Sequence, residues 1–220
     1  MARALIIGAS GGIGAALTGA LVDRGYQVTG LSRRRDGLDL TRPETVDPCL
    51  SALSGPFSRV IVATGILAPP GGRPEKSLSQ ISAPAMAQVM AVNAIGPALI
   101  LRHAPRLLPR DARSVLGVLT ARVGSIGDNR LGGWYSYRAS KAAANQIVHT
   151  AAIEIARTHR QACLVALHPG TVATPFTADY TGHRRVTPDQ AARNLLDVMD
   201  GLGPGDSGRF LDWAGKEIPW

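Results

Sequence analysis

Arg3-Ala4-Leu5-Ile6-Ile7-Gly8-Ala9-Ser10-Gly11-Gly12-Ile13-Gly14 opens with a short apolar run and stops at a glycine-rich turn. Beyond the turn, Ile13, Leu17, Leu21 and Val22 recur at helical spacing, Gly25 ends the pattern, and Tyr26 to Leu31 reads as a second strand. Strand, glycine turn, helix, strand is a βαβ unit of about 30 residues. In such a unit the chain doubles back on itself and lays its second strand parallel to the first. A sheet of that kind is covered on both faces and takes ligands at the carboxyl ends of its strands.

The turn itself points to an anion. Glycines let the backbone approach a pyrophosphate, which sits on the amides and the positive end of the following helix. The spacing, Gly8, Gly12 and Gly14, is Gly-x-x-x-Gly-x-Gly rather than the commoner Gly-x-Gly-x-x-Gly. Gly8, Ser10, Gly11, Gly12, Ile13 and Gly14 are therefore candidate dinucleotide contacts, with Ser10 as a phosphate-facing hydroxyl. The same residues match Gly-x-Ser-x-Gly, the nucleophile elbow of α/β-hydrolases. That alternative fails on topology, because the hydrolase oxyanion hole needs a loop from an earlier strand and too little chain precedes Gly8.

The second strand runs into Ser32-Arg33-Arg34-Arg35. About 20 residues after the turn an acid would grip a ribose 2′-hydroxyl, whereas arginine accommodates a 2′-phosphate. Arg33 and Arg34 stand there, with no acid until Asp36, so NADP(H) is expected over NAD.

Bulk properties set the limits. The 220 residues suit one domain, 1–220, and 45% hydrophobic with 18% charged residues is a globular balance. No apolar run of about 18 residues is visible, so no membrane span is expected. Cys49 and Cys163 have no metal-ligand spacing, and a reduced, cytoplasmic setting is the default. The formal net charge is +8, nearly all of it arginine, with Lys76, Lys141 and Lys216 as the only lysines. The arginines are scattered apart from Arg33–Arg35 and Arg184-Arg185. Without a basic stripe, nucleic-acid binding is not expected, and one phosphate-recognising cluster is.

Further along, Phe57 to Ala63 reads as a strand leading into Thr64-Gly65, and a Pro/Gly-rich loop runs from Ile66 to Ser79. A long helical stretch from Ala83 to Leu107 carries Asn93 among Met90, Val92, Ile95 and Leu99. Ser114 to Thr120 and Ala162 to Leu167 are further strands. Pro188 to Met199 is a helix, and Phe210 to Asp212 a last strand. Gly132-Gly133-Trp134-Tyr135-Ser136-Tyr137-Arg138-Ala139-Ser140-Lys141 opens an alanine-rich helix reaching about His159. Tyr137 and Lys141 are four apart and share a helix face. A lysine charge beside a phenol favours phenolate, so the Tyr137 pKa is expected below its ordinary value of about 10.

Taken together these marks resemble the short-chain dehydrogenase/reductase family along almost the whole chain. They are the Gly8/Gly12/Gly14 turn, Asp39, Asn93, Tyr137 with Lys141, and Pro169-Gly170-x-Val172-x-Thr174. More narrowly, Arg122 to Ile126, Gly132 to Arg138 and Asp212 to Trp220 resemble its C-factor-like branch, which includes signalling homologues. The resemblance implies an α/β, doubly wound Rossmann-type domain with a parallel sheet of about seven strands. It implies hydride transfer between NADP(H) and a carbonyl or alcohol substrate, with Tyr137 as general acid/base. Lys141 would tune Tyr137 and hold the nicotinamide ribose, and Asn93 would position a relay water. Asp39 and Leu40 would lie by the adenine, Ala63, Thr64 and Gly65 by its ribose, and Pro169, Gly170, Val172 and Thr174 by the carboxamide. A homodimer or homotetramer packed through the Asn93 and Tyr137 helices is also implied, as is a substrate loop at about 174–187.

The chain departs from the family pattern where it matters most. Ser-Ser-x-x-Gly falls on Thr120-Ala121-Arg122-Val123-Gly124, so alanine occupies the carbonyl-polarising position. Losing one such donor typically costs about 2.7–4 kcal/mol of transition-state stabilisation. Ser125 is the nearest hydroxyl in the loop that could stand in. The competing expectation is a dinucleotide-binding sensor or signalling protein with little turnover.

Overall fold

The computed structural model describes residues 1–178 and 185–220. Its elements, in order, are β1 (Arg3–Ile7), α1 (Gly12–Asp23), β2 (Gln27–Leu31), α2 (Arg33–Asp36), α3 (Val46–Ser51) and β3 (Arg59–Val62). Then come α4 (Ala83–Met90), α5 (Gly96–Leu101), α6 (Ala104–Leu107), β4 (Ser114–Leu119), α7 (Tyr135–Ile155), β5 (Ala162–His168), α8 (Pro188–Gly201) and β6 (Phe210–Asp212). The six strands form one sheet in the order β2-β1-β3-β4-β5-β6, parallel at every pairing. The doubly wound α/β architecture is as expected, with six strands rather than about seven. Gly37–Leu40 adds no strand: Leu38 and Leu40 drop into the core, and Thr45 Oγ1 accepts from the Asp39 amide while donating to its carbonyl.

Strand alternation builds two cores. Leu5, Ile7, Val60, Val62, Leu116, Val118, Leu164 and Ala166 face α5, α6 and α7, while Ala4, Ile6, Ile61, Val115, Val165 and Leu167 face α1 and α8. Such side chains contribute roughly 1.5–3 kcal/mol each when fully buried, and strands buried on both faces explain the near-continuous apolar runs. Leu17 and Leu21 hold α1 to the sheet, whereas Val22 turns out to solvent. Arg24 ties α1 to α8 through Asp197 and Asp200, and the buried Arg59 reaches Asp200 at 2.9 Å.

The long helical stretch of the middle chain is not uniform. Between α4 and α5, residues Ala91–Ile95 form a π turn in which the Gly96 amide bonds to the Ala91 carbonyl. Pro97 gives the reason: it has no N–H to offer the Asn93 carbonyl, and the wider turn accommodates its ring. The expectation that no apolar stretch reaches membrane-spanning length is corrected here. Ala83–Leu101 is long and apolar enough by length and composition, with mean hydropathy 1.5. Alternating small and apolar residues hide this in the sequence, because the polar Gln88 and Asn93 interrupt any single run. Only 39% of its window is buried, so its outer side, including Ile95, remains open.

Candidate active site

The carboxyl ends of the strands carry the predicted site residues. At the end of β1, Gly8 adopts φ +90°, and its amide and that of Ala9 both donate to the Leu31 carbonyl. The turn is too tight for side chains. A Cβ on Gly14 would stand 2.1 Å from the Gly8 carbonyl oxygen, and one on Gly12 would stand 2.7 Å from Thr174 Cγ2. Gly11 caps α1 with no side-chain hydrogen bond, and the first turn holds no acid. The helix's own first turn thus supplies no counter-charge to its positive end. Ser10, Gly11 and Gly12 are exposed around it, Ile13 is half-buried, and Gly8 packs against the Ala63 carbonyl.

Beyond β2, Ser32 caps α2 by accepting from the Arg35 amide, and the Asp36 carboxylate folds back onto the Ser32 amide at 2.7 Å. Asp36 is therefore spent within its own turn. Arg33 and Arg34 are exposed, and neither forms an ion pair among the described residues. Asp39 accepts from the Thr41 hydroxyl and amide, which hold its carboxyl below the ordinary range, with Arg33 and Arg42 adding to the effect. The Leu40 side chain is committed to the core: a Cβ on Gly96 would stand 2.6 Å from it. Only the Leu40 backbone is left to border an adenine.

The Tyr137 and Lys141 side chains meet under the loops that follow β3 and β4. Tyr137 is 6% exposed, and Lys141 Nζ lies 5.9 Å from its ring centroid while donating to the Leu119 carbonyl at 2.9 Å. Asn93 sits opposite. Its Oδ1 accepts from the Ile66 amide, and its Nδ2 donates to the Ile66 carbonyl and to Ser140 Oγ, which in turn donates to the Tyr137 carbonyl. A Cβ on Gly65 would come 3.4 Å from both Asn93 Oδ1 and Lys141 Nζ, so these three residues share one corner. The Thr64 hydroxyl beside them is buried without a partner among the described residues.

Burial reverses one expectation. Desolvation pushes the Tyr137 phenol well above its ordinary value, and the same burial pushes Lys141 down to about 8. In both groups desolvation is the cause, and it outweighs any attraction between ammonium and phenolate. A second expectation also fails. Ser125 does not stand in for the missing serine: its hydroxyl donates to the Pro219 carbonyl and accepts from the Asp128 amide. The 122–129 loop is fastened to the C-terminal segment, and Ser125 is the fastener. Ala121, nearly buried, presents only a methyl group.

On the other rim, Gly170 takes φ +79° against Trp213, Val172 is buried and bridges to Val186, and Thr174 caps a short turn at Pro175–Thr177. Pro169 precedes them, half-buried. A cavity of about 270 Å³ opens between residues 65–68 and 72–74 on one side and Pro175 and Phe176 on the other. Phe176 links it to the tyrosine, since the Phe176 and Tyr137 rings are 6.0 Å apart. Within the expected substrate loop, residues 179–184 lie outside the described residues. Glu75, Trp134, Ser140 and Phe176 join the site without having been singled out beforehand. Only Ser140, the immediate neighbour of Lys141, carried a local signal.

The family model described as Enoyl-(Acyl carrier protein) reductase matches residues 8–199. The chain belongs to the short-chain dehydrogenase/reductase family. A Rhodococcus 1-hydroxy-2-glutathionyl-2-methyl-3-butene dehydrogenase is 32% identical over the full length of both chains. The C-signal protein of Myxococcus xanthus is 38% identical over 61% of this chain and 78% of its own, in keeping with the C-factor-like resemblance. A Burkholderia multivorans short-chain dehydrogenase/reductase solved with bound NADP has 28% identity and a TM-score of 0.84, covering 100% and 99% of the two chains. Members of this oxidoreductase family use a nicotinamide cofactor, and the site fits one. The bare helix terminus, the glycine cradle that a Cβ would fill and the unpartnered Thr64 hydroxyl suit a phosphate-bearing dinucleotide.

Proposed function

We propose that the protein is an NADP(H)-dependent oxidoreductase that interconverts a carbonyl and an alcohol, with Tyr137 as its proton donor and acceptor. The observation that carries this reading is the Tyr137–Lys141 pair, buried side by side behind Gly65 and Phe176, two residues that line the cavity next to the dinucleotide cradle. The nicotinamide, when bound, supplies the carbon that gives or takes hydride. The chain's residues do the rest. Gly8, Ser10, Gly11, Gly12, Ile13 and Gly14 seat the pyrophosphate on the α1 amides, and Arg33 and Arg34 meet the 2′-phosphate. Val172 and Thr174 border the carboxamide, and Lys141 reaches the neighbouring ribose. Tyr137 stays protonated in its dry site, ready to donate to a developing alkoxide, which is the form a reductase requires. Asn93 fixes the loop at Ile66 against α7 and so holds the cavity wall beside the pair.

The Rhodococcus relative's name denotes an alcohol that carries a glutathionyl group. A small or hydrophobic alcohol or carbonyl with an anionic extension suits this cavity, since Arg73 stands on its wall. The apolar outer sides of α4–α5 and α7, with Ile95 and Ile153 exposed, suit a homodimer or homotetramer packed through those helices.

One observation favours a second reading, a dinucleotide-binding signalling protein with little turnover. Neither candidate supplies the family's serine hydroxyl: Ala121 has none and Ser125 is engaged elsewhere. Titration with NADPH and NADH, followed by a turnover screen on carbonyls and alcohols, separates the two. Turnover that Tyr137→Phe abolishes supports the enzyme. Tight NADPH binding without turnover of any substrate supports the sensor, and tighter NADH binding overturns the cofactor assignment.

A further inference from the structure

The helix that carries Tyr137 starts in an unusual way. Gly132, Gly133 and Trp134 have φ of 65°, 64° and 54°, three successive residues in the left-handed region. A residue preceding a helix normally sits in extended conformation and caps the first amides with its own side chain. Trp134 does neither. The first amides of α7 are met instead from 61 positions earlier in the chain, by Glu75.

Glu75 is 6% exposed, deep burial for a carboxylate, and Ser136 opposite it is 3% exposed. Its carbonyl accepts the Trp134 N–H. One carboxylate oxygen accepts the Ser136 N–H at 3.2 Å, and the other takes a short hydrogen bond from the Ser136 hydroxyl. Burial alone would raise this carboxyl, but the hydrogen bonds from Ser136 and from Glu75's own backbone together outweigh it and hold the group below its ordinary value, hence ionised. A negative charge at a helix N-terminus is also where the helix dipole favours it. Gly133 lies against the Glu75 carbonyl oxygen and suits the turn through its φ of +64°, which glycine adopts freely. Tyr137 is the next residue after Ser136. Its ring is held between Trp134, edge-on at 6.1 Å, and Phe176. Glu75 follows Pro74, which lines the cavity.

We infer that Glu75 is a positioning residue for Tyr137, fastening the first turn of the catalytic helix to the cavity-wall loop so that the phenol is held toward the substrate. The inference rests on the proposed role of Tyr137 for its catalytic consequence, but not for the anchoring itself. Glu75 touches neither substrate nor cofactor in this scheme; it acts through Ser136.

The test compares wild type, Glu75→Ala and Glu75→Gln by amide hydrogen exchange over residues 134–140 and by steady-state kinetics normalised to NADPH-binding sites. Removing the carboxylate should speed exchange in that segment about tenfold, the size expected for losing one helix cap. It should lower kcat by a similar factor while leaving KM for NADPH within about twofold. Glu75→Gln, which still offers an oxygen to the Ser136 amide, should restore most of both. Ser136→Ala, which removes only the hydroxyl bond, should move both readouts less and in the same direction; it serves as the probe if Glu75→Ala does not fold. Unchanged exchange in both truncations overturns the anchoring. Faster exchange with unchanged kcat reduces Glu75 to a stabilising contact and overturns the positioning role. A wild type that binds NADPH but turns nothing over defeats the enzyme reading instead, and the exchange arm then decides the anchoring by itself.

Discussion

The two halves of the site are made of different materials. The dinucleotide half, from Gly8 to Gly14, is almost all backbone: a left-handed glycine, amides pointing to an open helix end, and positions where a methyl group would strike a carbonyl. The chemical half, around Tyr137, is made of buried side chains tied by hydrogen bonds to residues dozens of positions away: Lys141 to Leu119, Asn93 to Ile66 and Ser140, Glu75 to Ser136. A backbone cradle specifies a ligand through what is absent from it. A side-chain cluster specifies chemistry through what surrounds it: burial sets the proton affinities of Tyr137 and Lys141, and hydrogen bonds that of Glu75.

Substitutions should therefore act differently on the two halves. The largest effect is expected from Tyr137→Phe, which removes the proton-bearing hydroxyl of the pair: carbonyl reduction should fall at least about 10³-fold, while NADPH affinity by fluorescence titration changes little. Retained turnover would falsify the proton-donor assignment. Next, Gly14→Ala drives a methyl group into the Gly8 carbonyl and should weaken NADPH binding about 100-fold, with the remaining bound fraction still catalytically competent. If instead binding survives and kcat falls, the division between cradle and chemistry is wrong. Third, Ala121→Ser should raise kcat about tenfold, because it returns a hydroxyl beside Tyr137, whereas Ser125→Ala should leave kcat near wild type and lower the melting temperature. A kcat loss in Ser125→Ala would break the contrast between an engaged serine and an absent one.

The smallest effect is a pH dependence of stability. Lys141 is pushed down to about 8 in the folded protein, against about 10.4 when unfolded. Between those values the unfolded chain binds more protons, so stability rises with pH across that window; below about 8 the burden of a buried ammonium is fully present. Thermal unfolding of wild type and Lys141→Met should therefore diverge between about pH 8 and 10, within the window those pKa values define, with only the wild type gaining. Above about 10 the unfolded tyrosines start to ionise while buried Tyr137 does not, which works in the opposite direction.

What could be read from the chain divides along the same line. The glycine turn, the arginines after β2 and the Tyr137–Lys141 spacing are local patterns, and local patterns survive in a sequence. Strand alternation carried the core as well, since Val115 and Leu116 must face opposite sides whatever covers them. The direction of the Tyr137 shift was misread because it depends on desolvation, and no spacing encodes how dry a site is. The sequence left the role of Ser125 open because one of its partners, Pro219, becomes a neighbour only when the last residues fold back. Glu75 was invisible for the same reason: an acid in a Pro/Gly-rich loop reads as solvated until α7 is placed on it.

The parallel sheet has one more consequence. Because every strand runs the same way, the recognised residues gather at one end of the molecule, and the opposite end carries the turns at 24–26, 52–58, 109–113, 156–161 and 202–209. That end is free ground for handling the protein. A dye, a biotin or a surface tether attached there would leave the working face pointing outward, so immobilised molecules could all be presented in one orientation.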